Sequence, residues 1–163
     1  MASVEQQQQG RDWLNQLLEL ASLSARVEPT GVAVREDESC WLTIAASDLS
    51  AEHIQALQGD RGEVLDSIQY LLNTTLNMGK PEGEQQPFTV ELDGYRDRRQ
   101  AELLALAEAA AAKVRETGEE FEMVALSAAE RRQVHTFLKD YEDLETSSRG
   151  QEPDRRLVVR RKS

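Results

Sequence analysis

Arg131 and His135 lie four residues apart, just behind Ser127-Ala128-Ala129-Glu130. A serine followed three positions later by glutamate is a capping box, so a helix opens there, and on it the i, i+4 spacing would present both side chains on one face. Arginine offers a fixed planar fork that pairs with phosphate in bidentate fashion, while an imidazole can donate to phosphate, stack on a base or carry a proton beside an anion. Arg132 adjoins the pair, and a basic end follows with Arg155-Arg156 and Arg160-Arg161-Lys162. A helix face extended by a nearby cationic strand is a surface for a polyanion, nucleic acid foremost. Taken alone, His135 would more often be a packed or solvated histidine, and the terminal basic run a solubilising tail.

A second group could meet a nucleic-acid backbone. Gly59-Asp60-Arg61-Gly62 stands between two helical patterns. Glycines there would let a phosphate approach closely, with amides of the next helix's N-terminus facing it. Any tight helix-helix turn would satisfy the same glycine spacing. Asp60 opposes phosphate and Arg61 offsets it. Arg96 and Arg99 lie one helical turn apart at the start of a long helix, where they could face phosphate or pair with nearby acids such as Asp93.

Charge restricts such binding to a patch. The 163-residue chain carries net charge −11, whereas Arg149 to Ser163 has six basic against two acidic residues, a local +4 that leaves −15 for the remainder. A protein coated by nucleic acid would carry the opposite sign overall. The acidic body, including 116–122 and 82–84, is simplest as a solubilising surface, and it would also discourage non-specific duplex binding.

The positioning elements follow from periodicity. Met1 to Gly10 is a glutamine-rich polar tail expected to be disordered, and Trp13, Leu17, Leu18, Leu20 and Ala21 predict an amphipathic helix over 11–23. Alternation over 27–34 and 40–45, joined through Glu36-Asp37-Glu38-Ser39, predicts a hairpin. A short helix over 51–57, the 59–62 turn, a helix over 63–77 with an apolar stripe of Val64, Leu65, Ile68, Leu71, Leu72 and Leu76, a loop and a strand at 88–92 complete an α-β-β-α-α-β order. A long helix from Tyr95 to Thr117, stopped by Gly118, leads to a strand over 119–126, the capped helix to about residue 141, and strands near 144–148 and 156–160 around a Gly150 and Pro153 turn.

The first order is that of a prokaryotic-type KH domain, and four stretches sharpen the resemblance. Residues 57–73 (LQGDRGEVLDSIQYLLN), Tyr95-Arg96-Asp97-Arg98-Arg99, Glu130-Arg131-Arg132-Gln133-Val134-His135 and Thr146-x-Ser148-x-Gly150-x-x-Pro153-x-Arg155-Arg156 resemble the Jag family, also called KhpB or SpoIIIJ-associated. Proteins of that family join a KH domain to an R-three-H domain, named for its Arg-x-x-x-His. Gln58 stands where the family usually has an apolar residue and Asp60 where it usually has a basic one. The extra N-terminal Jag domain of many members has no counterpart in the tail. The resemblance implies an α/β (α+β) fold and single-stranded RNA binding, or single-stranded DNA, with Arg131 and His135 as the named pair. It also implies a small KH-only partner protein.

The expected organisation is a tail over 1–10, a KH-like domain over 11–94, a connecting helix over 95–118 and an R-three-H-like domain over 119–163. The expected nucleic-acid contacts are Gly59, Asp60, Arg61, Gly62, Arg96, Arg99, Arg131, Arg132, His135, Arg155 and Arg156. Catalysis has no visible centre: P-loop, nucleophile elbow and dinucleotide fingerprint are missing, and His53, His135 and Cys40 are too few for a structural zinc site. No cofactor or metal is expected. A single cysteine allows no internal disulfide, and no apolar run nears the roughly 18 residues of a membrane span. A cytoplasmic RNA-binding regulator or RNA chaperone is the expected function. The competing expectation is a protein-interaction adaptor on a degenerate KH fold, separable from the first by RNA binding at low salt.

Overall fold

The structure, a computed structural model, describes residues 3–29 and 39–163. Two compact units divide between Arg96 and Asp97. In the first, α1 (Val4–Leu20) begins earlier than the apolar periodicity predicts. The Ser3 hydroxyl accepts from the Gln6 amide, and the Gln6 carboxamide accepts from the Ser3 amide at 2.8 Å, so a capping box opens the helix inside the glutamine-rich start expected as a disordered tail. Glutamine is a good helix former once a cap supplies the nucleus.

β1 (Val27–Pro29) pairs antiparallel with β2 (Cys40–Ile44), Val27 opposite Ile44, in accord with the start of the predicted hairpin. The rest of that hairpin, from Thr30 to Glu38, lies outside the described residues. α2 (Ala51–Gln58) and α3 (Glu63–Asn77) form the crossover to β3 (Phe88–Leu92), which runs parallel to β2. Parallel pairing requires such a crossover, and α3 returns its apolar stripe to the sheet. Leu65, Ile68 and Leu72 are buried with Leu14, Leu18, Leu42, Ile44, Val90 and Leu92. Leu71, expected in the stripe, is 50% exposed, because it lies about 100° around the helix from Leu72. Cys40 is buried, which raises its thiol pKa.

β3 is an edge strand, yet its outward backbone groups are occupied. Asn73 accepts from the Phe88 amide and donates to the Phe88 carbonyl, both at 2.8 Å. Gln69 accepts from the Val90 amide, Arg96 Nε donates to the Val90 carbonyl, and Gln58 donates to the Leu92 carbonyl. An open row of such groups would invite another strand. Here side chains from α2 and α3, together with Arg96, close it.

In the second unit, α4 (Tyr95–Thr117) contributes Leu103, Ala107, Ala110, Ala111 and Val114 to the core, so the helix expected as a connector carries one wall of this unit. The alanines let neighbouring backbone approach. β4 (Phe121–Met123), α5 (Ala128–Leu138), β5 (Leu144–Arg149) and β6 (Arg156–Arg161) complete the unit, with an antiparallel sheet in the order β4-β6-β5. Leu157, Val159, Met123 and Leu144 join Val134 and Leu138 of α5 in the same core. β4 is shorter than the predicted 119–126 strand: Ala125 takes φ 59°, and Val124 is 58% exposed.

Candidate nucleic-acid interface

The Gly59–Gly62 turn connects α2 to α3 as expected, but both glycines answer to internal packing. Gly59 has φ 71°, and a Cβ on it would stand 2.5 Å from Val64 Cγ2. Gly62 has φ 76°, and its Cβ would stand 2.4 Å from the Tyr95 ring and hydroxyl. Positive φ and close approach each favour glycine, so this spacing is required with or without a ligand. Between them, Arg61 reaches Asp60 at 3.6 Å, an exposed pair of adjacent residues whose charges cancel within the turn.

Arg96 is turned inward. Its guanidinium donates to Asp66 and, at 3.2 Å, to Gln69, while Nε holds the Val90 carbonyl. Its own amide donates to the buried Glu91 carboxylate, which also accepts from the Leu92 amide at 2.7 Å. Arg99 donates to Glu130 at 2.7 Å and Glu102 at 3.0 Å, and its side chain is 15% exposed. Because Glu130 is the capping-box glutamate, Arg99 fastens the start of α5 to α4. For both arginines, pairing with acids prevails over a free cationic face, and Asp66, Glu102 and Glu130 are among the acids that hold them.

Arg131 and His135 do not share an exposed face. Four residues advance a helix by about 40°, and the border of the buried stripe runs between them. Arg131 follows Val134 and Leu138 inward and is 5% exposed. It donates to the Leu126 carbonyl at 2.7 Å and the Arg155 carbonyl at 3.1 Å, and pairs with Glu152. The guanidinium thus clasps the 150–155 turn to the base of α5. A burial-driven contact of this kind is invisible to helical spacing, which sets direction but not what covers a face.

His135 remains exposed, its Nδ1 joined to the Thr146 hydroxyl of the edge strand β5. Nε2 is then the ring's remaining hydrogen-bonding atom. Arg132 is exposed on α5, three residues before His135 and therefore roughly 5–6 Å away at the Cβ atoms. Ser148, two residues beyond Thr146, stays exposed on the same side of β5. An exposed guanidinium, an anchored imidazole and two hydroxyls can together bind a phosphate and the edge or face of a base. Thr146 was visible in sequence only as a motif position; its contact with His135 comes from the packing of α5 on the sheet.

Three of the six basic residues from Arg149 onward, Arg149, Arg156 and Arg160, pair with carboxylates. Arg155 is exposed and donates to the Gly150 carbonyl at 3.2 Å. Arg156 pairs with Glu122 at 2.6 Å, Arg149 with Glu120 at 2.7 Å and Glu122 at 2.9 Å, and Arg160 with Glu145 at 2.7 Å. These residues alternate onto the outer face of the sheet, roofing the fully buried Val158. Hydrogen bonds from Arg156 and Arg149 hold the Glu122 carboxyl below the usual range, and Arg149 does the same to Glu120. The acids responsible lie on β4 or just before it and on β5, which is why counting local charge from residue 149 onward overstates the cationic surface.

Among the described residues, no group of three acidic, histidine or cysteine side chains could hold a metal ion, and no helix is long and apolar enough to cross a membrane.

Comparison with known proteins agrees with this division. Residues 101–161 match the R-three-H domain, a span that contains Arg131, His135 and strands β5 and β6. The chain is 31% identical over 112 residues to the RNA-binding protein KhpB of Clostridium symbiosum, covering 69% of this chain and 50% of that protein. It is 28% identical over 137 residues to the KhpB protein of Lactiplantibacillus plantarum, covering 84% and 42%, and 28% identical over 116 residues to that of Bacillus subtilis, covering 70% and 55%. The chain spans about half the length of the curated relatives it matches. Residues 101–161 thus match the R-three-H family, and over 69% of its length the chain is similar to a KhpB protein of the Jag family.

Proposed function

We propose that this protein binds single-stranded RNA through its second unit and acts by occupying and remodelling RNA, as a post-transcriptional regulator or RNA chaperone. The observation that carries the reading is the exposed Arg132 and His135 on α5, with His135 held by the half-buried Thr146 of β5, within the span that matches the R-three-H family. Arg132 supplies a phosphate fork, and His135, held by Thr146, supplies a ring for stacking or donation. The relatives' name, RNA-binding protein, supports RNA as the polymer. A small KH-only protein is the partner that the family resemblance suggests, testable by co-purification of the two expressed together.

The test is anisotropy of a labelled single-stranded RNA with the full chain. Arg132→Ala and His135→Ala should each weaken binding about 5- to 10-fold, the equivalent of one hydrogen bond of about 1–1.5 kcal/mol, without lowering the melting temperature. Log affinity should fall with log salt by about 0.7 per phosphate contact. Equal affinity for duplex DNA, or binding indifferent to both substitutions, would overturn it.

A second reading has its own support. The packed glycines of the 59–62 turn, the neutral Asp60–Arg61 pair and the closed edge of β3 favour a first unit that serves as a scaffold or protein-binding adaptor. Asp60→Lys tests it, since this exposed change should raise RNA affinity only where the turn meets phosphate.

A further inference from the structure

Arg149 and Arg156 stand directly opposite each other in the β5–β6 register. Facing like charges destabilise a sheet unless an anion joins them. That anion is Glu122: one carboxylate oxygen lies 2.9 Å from Arg149 Nη1 and the other 2.6 Å from Arg156 Nη1. The two guanidiniums are about half exposed, at 53% and 49%, and Glu122 itself at 31%. Glu120 adds a second carboxylate to Arg149 from the outer end of the strand, and no other acid contacts Arg156 among the described pairs.

Two arginine forks converging on one pair of oxygens is the arrangement that also receives a phosphate. We infer that Arg149 and Arg156 form a phosphate seat on the outer face of the sheet, filled in this chain by its own Glu122. The seat is a different surface from the α5–β5 group. It is held shut by exposed ion pairs, which contribute little to stability and weaken in salt, so the carboxylate is displaceable without unfolding the sheet. RNA as the source of the phosphate rests on the reading above; the seat itself does not.

Glu122→Gln keeps the side chain's size but removes its charge. In the full chain, tripolyphosphate should raise the melting temperature of Glu122→Gln and scarcely move that of the parent protein or of Glu116→Gln, which removes an equal charge elsewhere. A labelled single-stranded RNA should bind Glu122→Gln about 3- to 10-fold more tightly, with a salt slope steeper by about 0.7–1.4, the contribution of one or two added phosphate contacts. Both gains should vanish when Arg149→Gln and Arg156→Gln are added. A gain for tripolyphosphate without one for RNA upholds the seat and assigns it to free phosphate, while RNA binding by the α5–β5 group stands or falls on Arg132→Ala and His135→Ala. No gain in either arm from a folded Glu122→Gln, or a gain matched by Glu116→Gln, overturns the seat. Glu122→Ala repeats the test if the glutamine variant loses its cooperative melt.

Discussion

Replacing Arg131 should destabilise the second unit rather than remove a ligand contact. Arg131→Met keeps the aliphatic stem and removes the guanidinium, leaving the Leu126 and Arg155 carbonyls without their donor. An acceptor stranded away from water costs about 1–3 kcal/mol. Leu126 is buried, so its carbonyl should carry most of that cost, while the Arg155 carbonyl, at the more open turn, should recover part of its loss from water. Glu152 is 58% exposed and returns to solvent, so the broken ion pair adds little. The total is about 2–4 kcal/mol. A unit of this size, residues 97–163, has only about 3–10 kcal/mol in all. Urea unfolding followed by far-UV circular dichroism should show the loss, and hydrogen exchange should locate it in peptides spanning 144–161. Arg131→Lys should be intermediate, since an ammonium cannot hold two carbonyls in the same fork. If Arg131→Met instead unfolds within about 0.5 kcal/mol of the parent, the usual range for a surface change, and loses RNA affinity about tenfold, the arginine faces ligand and the clasp is wrong.

Gly62→Ala should cost about 2–5 kcal/mol, combining the left-handed backbone penalty with overpacking against Tyr95; a cycle with Tyr95→Ala should recover the packing part, and simple additivity would refute the contact. Asn73→Ala should destabilise the first unit by about 1–3 kcal/mol and, by opening the edge of β3 at Phe88, increase light scattering on concentration; a stable variant that stays monodisperse would show the edge is protected by other means. Glu120, Glu122 and Asp143 have folded pKa values below their ordinary ones, held there first by hydrogen bonds from Arg149, Arg156 and Arg115 respectively. Their stabilisation is therefore complete above the ordinary carboxylate range near about 4 and is lost as pH falls through and below it. The Glu120→Gln/Glu122→Gln/Asp143→Asn variant should show a shallower acid-induced fall in melting temperature than the parent, and parallel curves would dismiss these pairs as contributors.

Local sequence decided most of the element types. The capping box at Ser127, the period of α3 and the alternation of Phe88, Val90 and Leu92 are short-range signals, and each formed the predicted element because its neighbours in sequence are also its neighbours in space. The family motifs likewise lie in contiguous stretches. Ser3 and Gln6 are an equally local signal for the start of α1, masked by the polar composition of the glutamine-rich run around them. Tertiary structure decided which charged groups remain available. Helical spacing places Arg131 and His135 close together, but only the packing of α5 on the sheet turns one into the core and leaves the other on Thr146. Only strand pairing brings Glu122 to Arg149 and Arg156, 27 and 34 residues away. Sequence sets how many charges a segment carries; their pairing depends on contacts between segments, and an arginine already satisfied by a carboxylate or a carbonyl is chemically a different surface from a free one.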